Sequence, residues 1–275
     1  MNKEISMKFW GARGSFPTPH ADKMIFGGNT SCISLHLSDD ELILFDMGSG
    51  ALDLGKELIS NENSPKKINV LLSHYHWDHI FGFLGFAPFF NESYQVNVYG
   101  KSDTKSPKDI LSHIMDNTFW PVDLSMMAAK INFYAFPDNS LKINNNTSIK
   151  CTLHGHPNGA NSYRVEYKNK IIVYSTDCEH PARNLNPNII SIAKDADIFI
   201  HDSHFTNEEL PAHKGWGHAS WEQCVEIAKQ ANVKKLILFH HDPNKNDEMI
   251  AEIEKQAKKL FSNTIAAREG MEIIL

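Results

Sequence analysis

Three imidazoles and a carboxylate fall within six residues, His74-Tyr75-His76-Trp77-Asp78-His79, directly behind the apolar run Val70-Leu71-Leu72. Few folds accommodate such a segment by packing alone, because each of these side chains needs a polar partner once it leaves water. His74 and His76 alternate around Tyr75, so an extended backbone points both the same way. Asp78 and His79 then begin a new turn and can reach a neighbouring ion. Imidazole and carboxylate without thiolate suit Zn²⁺, Mn²⁺ or Fe²⁺, and four donors in one hinge suit two ions better than one.

The rest of the chain repeats the arrangement of a donor just past an apolar strand. Strands are expected at 149–153, 170–175, 197–201 and 235–239, and they are followed by His156, Asp177, Asp202 and His240 respectively. Strand ends along one sheet edge are where α/β proteins gather ligands from distant parts of the sequence. Further strands are expected at 5–10, 95–99 and 162–167, with a hairpin of 32–37 and 41–46 turning at Ser38-Asp39-Asp40. Helices are expected at 51–59, 107–116, 184–194, 219–231 and 247–261, where apolar residues recur at helical spacing. With 275 residues, 41% of them hydrophobic, the economical reading is one mixed α/β domain spanning 1–275.

Charge and composition narrow the classes. A formal net charge of −6 argues against a general nucleic-acid coat, which needs a basic face to release counterions. The longest apolar stretch, 80–90, holds two glycines and a proline and is far short of the roughly 20 residues of a membrane span. The start, Met1-Asn2-Lys3-Glu4-Ile5-Ser6, has no signal-peptide core, so the cytoplasm is expected. Cys32, Cys151, Cys178 and Cys224 are widely spread without a C-x-x-C pairing and read as small buried residues.

The hallmark H-x-H-x-D-H stands intact as His74 to His79, and with it the chain resembles the metallo-β-lactamase superfamily, in its phosphodiesterase and ribonuclease Z-like branch. The likeness extends to Leu42-Ile43-Leu44-Phe45-Asp46-Met47-Gly48-Ser49-Gly50, to His156 seven residues before Tyr163-Arg164-Val165-Glu166, to Tyr174-Ser175-Thr176-Asp177 and to Leu238-Phe239-His240. It implies a four-layer αββα sandwich of two mixed β-sheets. It also implies one metal site from His74, His76 and His156, a second from Asp78, His79 and His240, and Asp177 shared between them. Asp46 would orient a ligand imidazole. Two divalent ions, Zn²⁺ foremost, would activate a water for hydrolysis.

The resemblance extends to Gly215-Trp216-Gly217-His218-Ala219-Ser220 and Ile200-His201-Asp202-Ser203. By that likeness His218 protonates the leaving oxygen and Asp202 fixes its tautomer, and Asp78 joins them at the catalytic centre. The expected enzyme is a dinuclear phosphodiesterase whose partner is a small phosphodiester, such as a cyclic nucleotide or cyclic ribose phosphate. No membrane and no extended nucleic acid are expected, and homodimer formation is left open. The alternatives are tRNA 3′-end processing, ranked lower because no Gly/Pro-rich basic arm is evident, and lactone or thioester hydrolysis on the same metal pair.

Weaker candidates remain. Gly27-Gly28-Asn29-Thr30-Ser31-Cys32 is equally well a turn leading into a strand. Phe16, Phe119 and Trp120 are candidates for stacking on a base, Arg13 and Arg164 for phosphate contacts, and His154, His180, His204 and His241 for supporting hydrogen bonds around the ligands.

Overall fold

The computed structural model describes residues 5–37, 41–101, 105–137, 140–181 and 184–275. The chain divides into two compact units, one made of Met1–Gly11, Asn29–Phe136 and Gly270–Leu275, the other of Ala12–Gly28 and Pro137–Glu269. Each unit is built on one mixed sheet of seven strands with helices against it, giving the two mixed sheets that the resemblance implies.

In the first unit the strands run in the order Glu272–Ile274, Ser6–Gly11, Cys32–His36, Glu41–Phe45, Lys67–Leu71, Gln95–Gly100 and Lys130–Ala135. The pairings up to Glu41–Phe45 are antiparallel and those beyond it parallel. Leu44, Val70 and Val98 lie in register across the parallel half. They pack with Leu54 and Leu58 of the helix Ala51–Ser60 and with Phe83 and Phe89. Central parallel strands are covered on both faces, which is why 70–72 reads as an unbroken apolar run. The histidine segment leaves the sheet where that run ends.

The second unit runs in the order Thr264–Ala266, Leu236–Phe239, Ile198–Asp202, Lys170–Ser175, Ala160–Tyr167, Thr147–His154 and Ser140–Asn144. Its first three pairings are parallel and the others antiparallel. His201 is in register with Ser175 on one side and Leu238 on the other, so three strand ends align at one edge. Asp177, Asp202 and His240 therefore come from neighbouring strand ends.

The strands Cys32–His36 and Glu41–Phe45 pair as expected, while the turn at Ser38-Asp39-Asp40 lies outside the described residues. Lys130–Ala135, Ser140–Asn144, Thr264–Ala266 and Glu272–Ile274 were not expected. All lie at or next to sheet edges, where one face stays in water and the short runs lose their apolar signature. The helix expected from 184 begins instead at Pro187, because Asn186 caps it by accepting a hydrogen bond from Asn188 N–H, and proline suits the first helical position. Among the described residues no helix is long and apolar enough to cross a membrane.

Ser220 starts the helix Trp221–Gln230 with a capping box: its Oγ accepts from Gln223 N–H at 3.2 Å and the Gln223 side chain returns to Ser220 N–H at 3.1 Å. Ser220→Ala is expected to cost about 1 kcal/mol. Urea unfolding should show a lower midpoint with an unchanged slope. An unshifted midpoint would show that the cap is dispensable.

Candidate metal centre

In the first unit, Asp46 follows the strand Glu41–Phe45 in a left-handed conformation, φ 57°. Its fully buried carboxylate accepts from Ser73 N–H at 2.7 Å and Ser73 Oγ at 2.8 Å, and lies 2.7 Å from His79 Nδ1. His79 thus donates through Nδ1, and its Nε2 lone pair faces Asp78 Oδ2 at 3.2 Å. Two lone pairs that close want a shared cation, which is the chemistry of a metal ligand braced from behind. The rings of His74 and His76 are 4.5 Å apart and those of His74 and His79 4.2 Å. The backbone changes from extended at His76 to helical at Trp77, so Asp78 and His79 open a turn as expected. Gly48 makes room for this: a Cβ there would fall 2.2 Å from the carbonyl oxygen of Asp78.

In the second unit, Asp177 also adopts a left-handed backbone, φ 51°, as does His240, φ 57°. Non-glycine residues hold this conformation only where their surroundings impose it, often at functional sites. Asp177 Oδ2 accepts from Thr176 Oγ1 at 2.6 Å and lies 3.2 Å from His240 Nε2. Asp177 Oδ1 is 3.7 Å from His156 Nε2 and 3.8 Å from His218 Nδ1. His156 donates through Nδ1 to the Gly217 carbonyl at 2.9 Å, which leaves its Nε2 lone pair for a ligand role. Asp177, His156 and His240 thus meet, as the sequence pattern implied.

Asp202 and His218 meet as well. The carboxylate, fully buried at the end of Ile198–Asp202, accepts from His218 Nδ1 at 2.8 Å through Oδ2 and from His204 N–H at 2.9 Å through Oδ1. Burial works against its ionisation, but the charge and hydrogen bond of His218, helped by His240, outweigh it and hold the carboxyl at about 2. His218 also lines a cavity of about 440 Å³ together with Glu179, His180, His213, Lys214 and Gln223.

Glu179 had no distinguishing sequence signal. Its two carboxylate oxygens accept from Gly215 N–H and Gly217 N–H, each at 2.9 Å, and so pin the loop that carries His218 and braces His156. Gly217 sits at φ 88°, and a Cβ there would fall 2.0 Å from His156 Nδ1. A Gly-x-Gly loop of successive backbone donors was the only clue that an anion was required.

Other candidates are placed differently. Arg13 is not a phosphate contact: it is fully buried, donates to the carbonyls of Gly27 at 2.8 Å and Lys245 at 2.7 Å, and stands 3.8 Å from Asp247. Arg164 is held by Glu166 at 2.6 Å and by the carbonyls of Ile192 and Lys194. Phe16 and Phe119 are exposed, whereas Trp120 packs against the core of the first unit. Gly27 occupies a turn at φ 87°. The His204 ring stacks on His218 at 4.3 Å.

His241 donates Nε2–H to the Ala267 carbonyl at 2.9 Å. Burial, with the Arg13 charge adding to it, lowers its pKa to about 3 against that hydrogen bond. The folded state keeps the imidazole neutral while the unfolded chain protonates it near 6.5, so stability is present above 6.5 and is lost as pH falls toward 3. Between pH 7 and 5 this residue should cost about 2 kcal/mol. Urea titrations of chelator-treated wild type and His241→Asn at both pH values test this. Equal acid losses in the two proteins would remove His241 from the explanation.

Residues 42–241 match the model of the beta-lactamase superfamily domain, and the chain belongs to that superfamily. Ribonuclease Z of Thermoplasma acidophilum is 25% identical over 323 residues, spanning 99% of this chain and 97% of the relative. YhfI of Bacillus subtilis, a metallo-beta-lactamase fold protein, superposes with a TM-score of 0.74 at 22% identity, over 98% of this chain and 99% of that one. Human tRNase Z, short form, superposes with a TM-score of 0.69 at 17% identity, over 98% of each chain. The fold is the metallo-β-lactamase fold, the chain is a metal-dependent hydrolase, and its imidazole and carboxylate donors fit a pair of divalent ions.

These relatives overturn one expectation. A small phosphodiester as the partner, with no extended nucleic acid, does not agree with likeness to a ribonuclease and a tRNase over nearly the whole chain. The net charge of −6 misled because it sums the whole chain without its ions. Two divalent ions alone would offset four of those charges, and RNA responds to the local field at the site.

Proposed function

We propose that the chain is a metal-dependent endoribonuclease that cuts a phosphodiester bond near the 3′ end of a tRNA precursor. Support for the RNA substrate comes from the ribonuclease Z relative, aligned over 99% of this chain. The observation that carries the reading is the His218–Asp202 pair at 2.8 Å, beside Asp177. An RNA alkoxide is a poor leaving group and needs a proton, whereas a thiolate leaving group does not.

In this reading His74, His76, Asp78, His79, His156, Asp177 and His240 hold two divalent ions, zinc foremost, and the chain works as a single hydrolase domain. Bound there, the ions supply Lewis-acid stabilisation of the phosphoryl oxygens and lower the pKa of water. Asp78 acts both as ligand and at the reacting centre. Asp202 keeps the His218 Nδ1 proton in place, so Nε2 is the nitrogen that exchanges protons with substrate. As the bond from phosphorus to the departing ribose oxygen breaks, the Nε2 proton moves to that oxygen and the ionised Asp202 stabilises the imidazolium beforehand. Thr176 steadies Asp177, and Glu179 holds the loop that sets His218.

The test is a panel of 3′-extended precursor tRNA, unstructured RNA, cyclic nucleotides and lactones, assayed with metal-loaded protein. Precursor tRNA should give the highest kcat/KM. Preferential turnover of a lactone, with precursor tRNA uncut, would overturn the assignment.

A further inference from the structure

We propose that Cys178, His180 and His201 form a second metal site in the second unit, separate from the seven ligands above and suited to a thiophilic ion such as Zn²⁺ or Cu⁺. Cys178 and His180 follow the strand Lys170–Ser175, and His201 lies on the neighbouring parallel strand in register with Ser175. One donor atom from each of the three falls within 4.8 Å of the other two, and all three residues are buried. The Cys178 sulfur is 4.0 Å from His180 Nδ1, and the two imidazoles stack at 5.4 Å with 20° between their planes.

The ordinary reading is a cysteine and two histidines packed in a core, and hydrogen bonding decides against it. His201 gives its Nδ1–H to the Asp202 carbonyl at 2.8 Å, so its Nε2 carries a lone pair. Neither that nitrogen nor His180 Nε2 has a hydrogen-bond partner among the described residues. A buried polar atom left in that state bears its full desolvation cost unless something binds it. His180 Nδ1 has only long contacts, from Asn186 N–H at 3.3 Å and with the Cys178 sulfur at 4.0 Å, and an ion could replace the first.

Burial, helped by His201, lowers the His180 pKa to about 3, so its ring is neutral and one of its nitrogens keeps a lone pair for a metal. Cys178 is a free thiol that burial keeps protonated, so a cation binding there displaces that proton to solvent as the sulfur becomes a thiolate ligand. His154, also buried, interacts electrostatically with both His180 and His201. Cys224 is a poorer ligand, because its sulfur already bonds the Asp202 and Ser220 carbonyls. The cavity beside His218 reaches His180 and offers a way in. A sulfur donor gives this site a preference that the imidazole and carboxylate set lacks.

Cobalt separates the two sites, since only a cysteine ligand produces a thiolate-to-cobalt charge-transfer band. The full chain, stripped with chelator under reductant and reloaded with Co²⁺, should show that band with about three ions per chain. Cys178→Ser should abolish the band and leave about two ions, while Cys224→Ser and Cys151→Ser keep it. His180→Gln, checked for folding by circular dichroism, gives a second route and should weaken cobalt affinity at the band by about tenfold or more. A cobalt-loaded wild type without the band, or a band that survives Cys178→Ser, would overturn the proposal. The inference does not rest on the proposed function: failure of the paired site would remove two ions and leave the band in place.

Discussion

Replacing Asp177 with alanine is expected to strip at least one divalent ion from each chain and to lower kcat by about 10³-fold or more, beyond the 10–100-fold typical of losing a group that only supports a ligand. Its two oxygens lie 3.2 Å from His240 Nε2 and 3.7 Å from His156 Nε2, so one carboxylate serves two imidazoles from different strands. The residue is 2% exposed, so bulk water cannot take over its role. Alanine also suits the left-handed backbone at φ 51° poorly, which would confound a loss of stability with a loss of ligand. Asp177→Asn removes that ambiguity: asparagine tolerates the conformation and can still accept from Thr176, but brings no charge. Metal analysis of both variants should show the same deficit. Full occupancy in the asparagine variant would mean that Asp177 is not a ligand.

His218→Ala should slow cleavage of an RNA phosphodiester by about 10² to 10⁴-fold, the range for a lost general acid. It should slow hydrolysis of a p-nitrophenyl phosphodiester far less, because that leaving group departs without a proton. The contrast isolates the proton from mere positioning, since a displaced substrate would impair both reactions. Asp202→Asn should reproduce the pattern in weaker form, for an amide at 2.8 Å can no longer balance a charged imidazole. Equal losses on the two substrates would remove the acid role from His218.

Much of the site was legible because its information is local. His74 to His79 carries its donors in one run, and Asp177, Asp202 and His240 each sit at the end of a buried strand or within two residues past it, where the apolar run stops. Parallel pairing then aligns those ends, so order along the chain became proximity in space. What was not legible depends on groups the sequence does not display. Arg13 reads as an available cation, yet inside the second unit carbonyls of Gly27, Asp242 and Lys245 take its Nε and Nη1 donors and Asp247 faces Nη2. Glu179 acts through backbone N–H groups, which every residue but proline has. The edge strands Ser140–Asn144 and Thr264–Ala266 are too short and too wet to show a period. The size of the substrate could not be read from a summed charge, which has no location.

The most direct test is a manganese count, because Mn²⁺ favours oxygen and imidazole over sulfur and so reports the paired site alone. Chelator-stripped protein dialysed against Mn²⁺ should bind about two ions per chain and recover cleavage of precursor tRNA. His76→Ala and His156→Ala should each bind fewer and lose that cleavage. Two ions retained in both variants, or full cleavage by protein verified free of metal, would contradict the assignment.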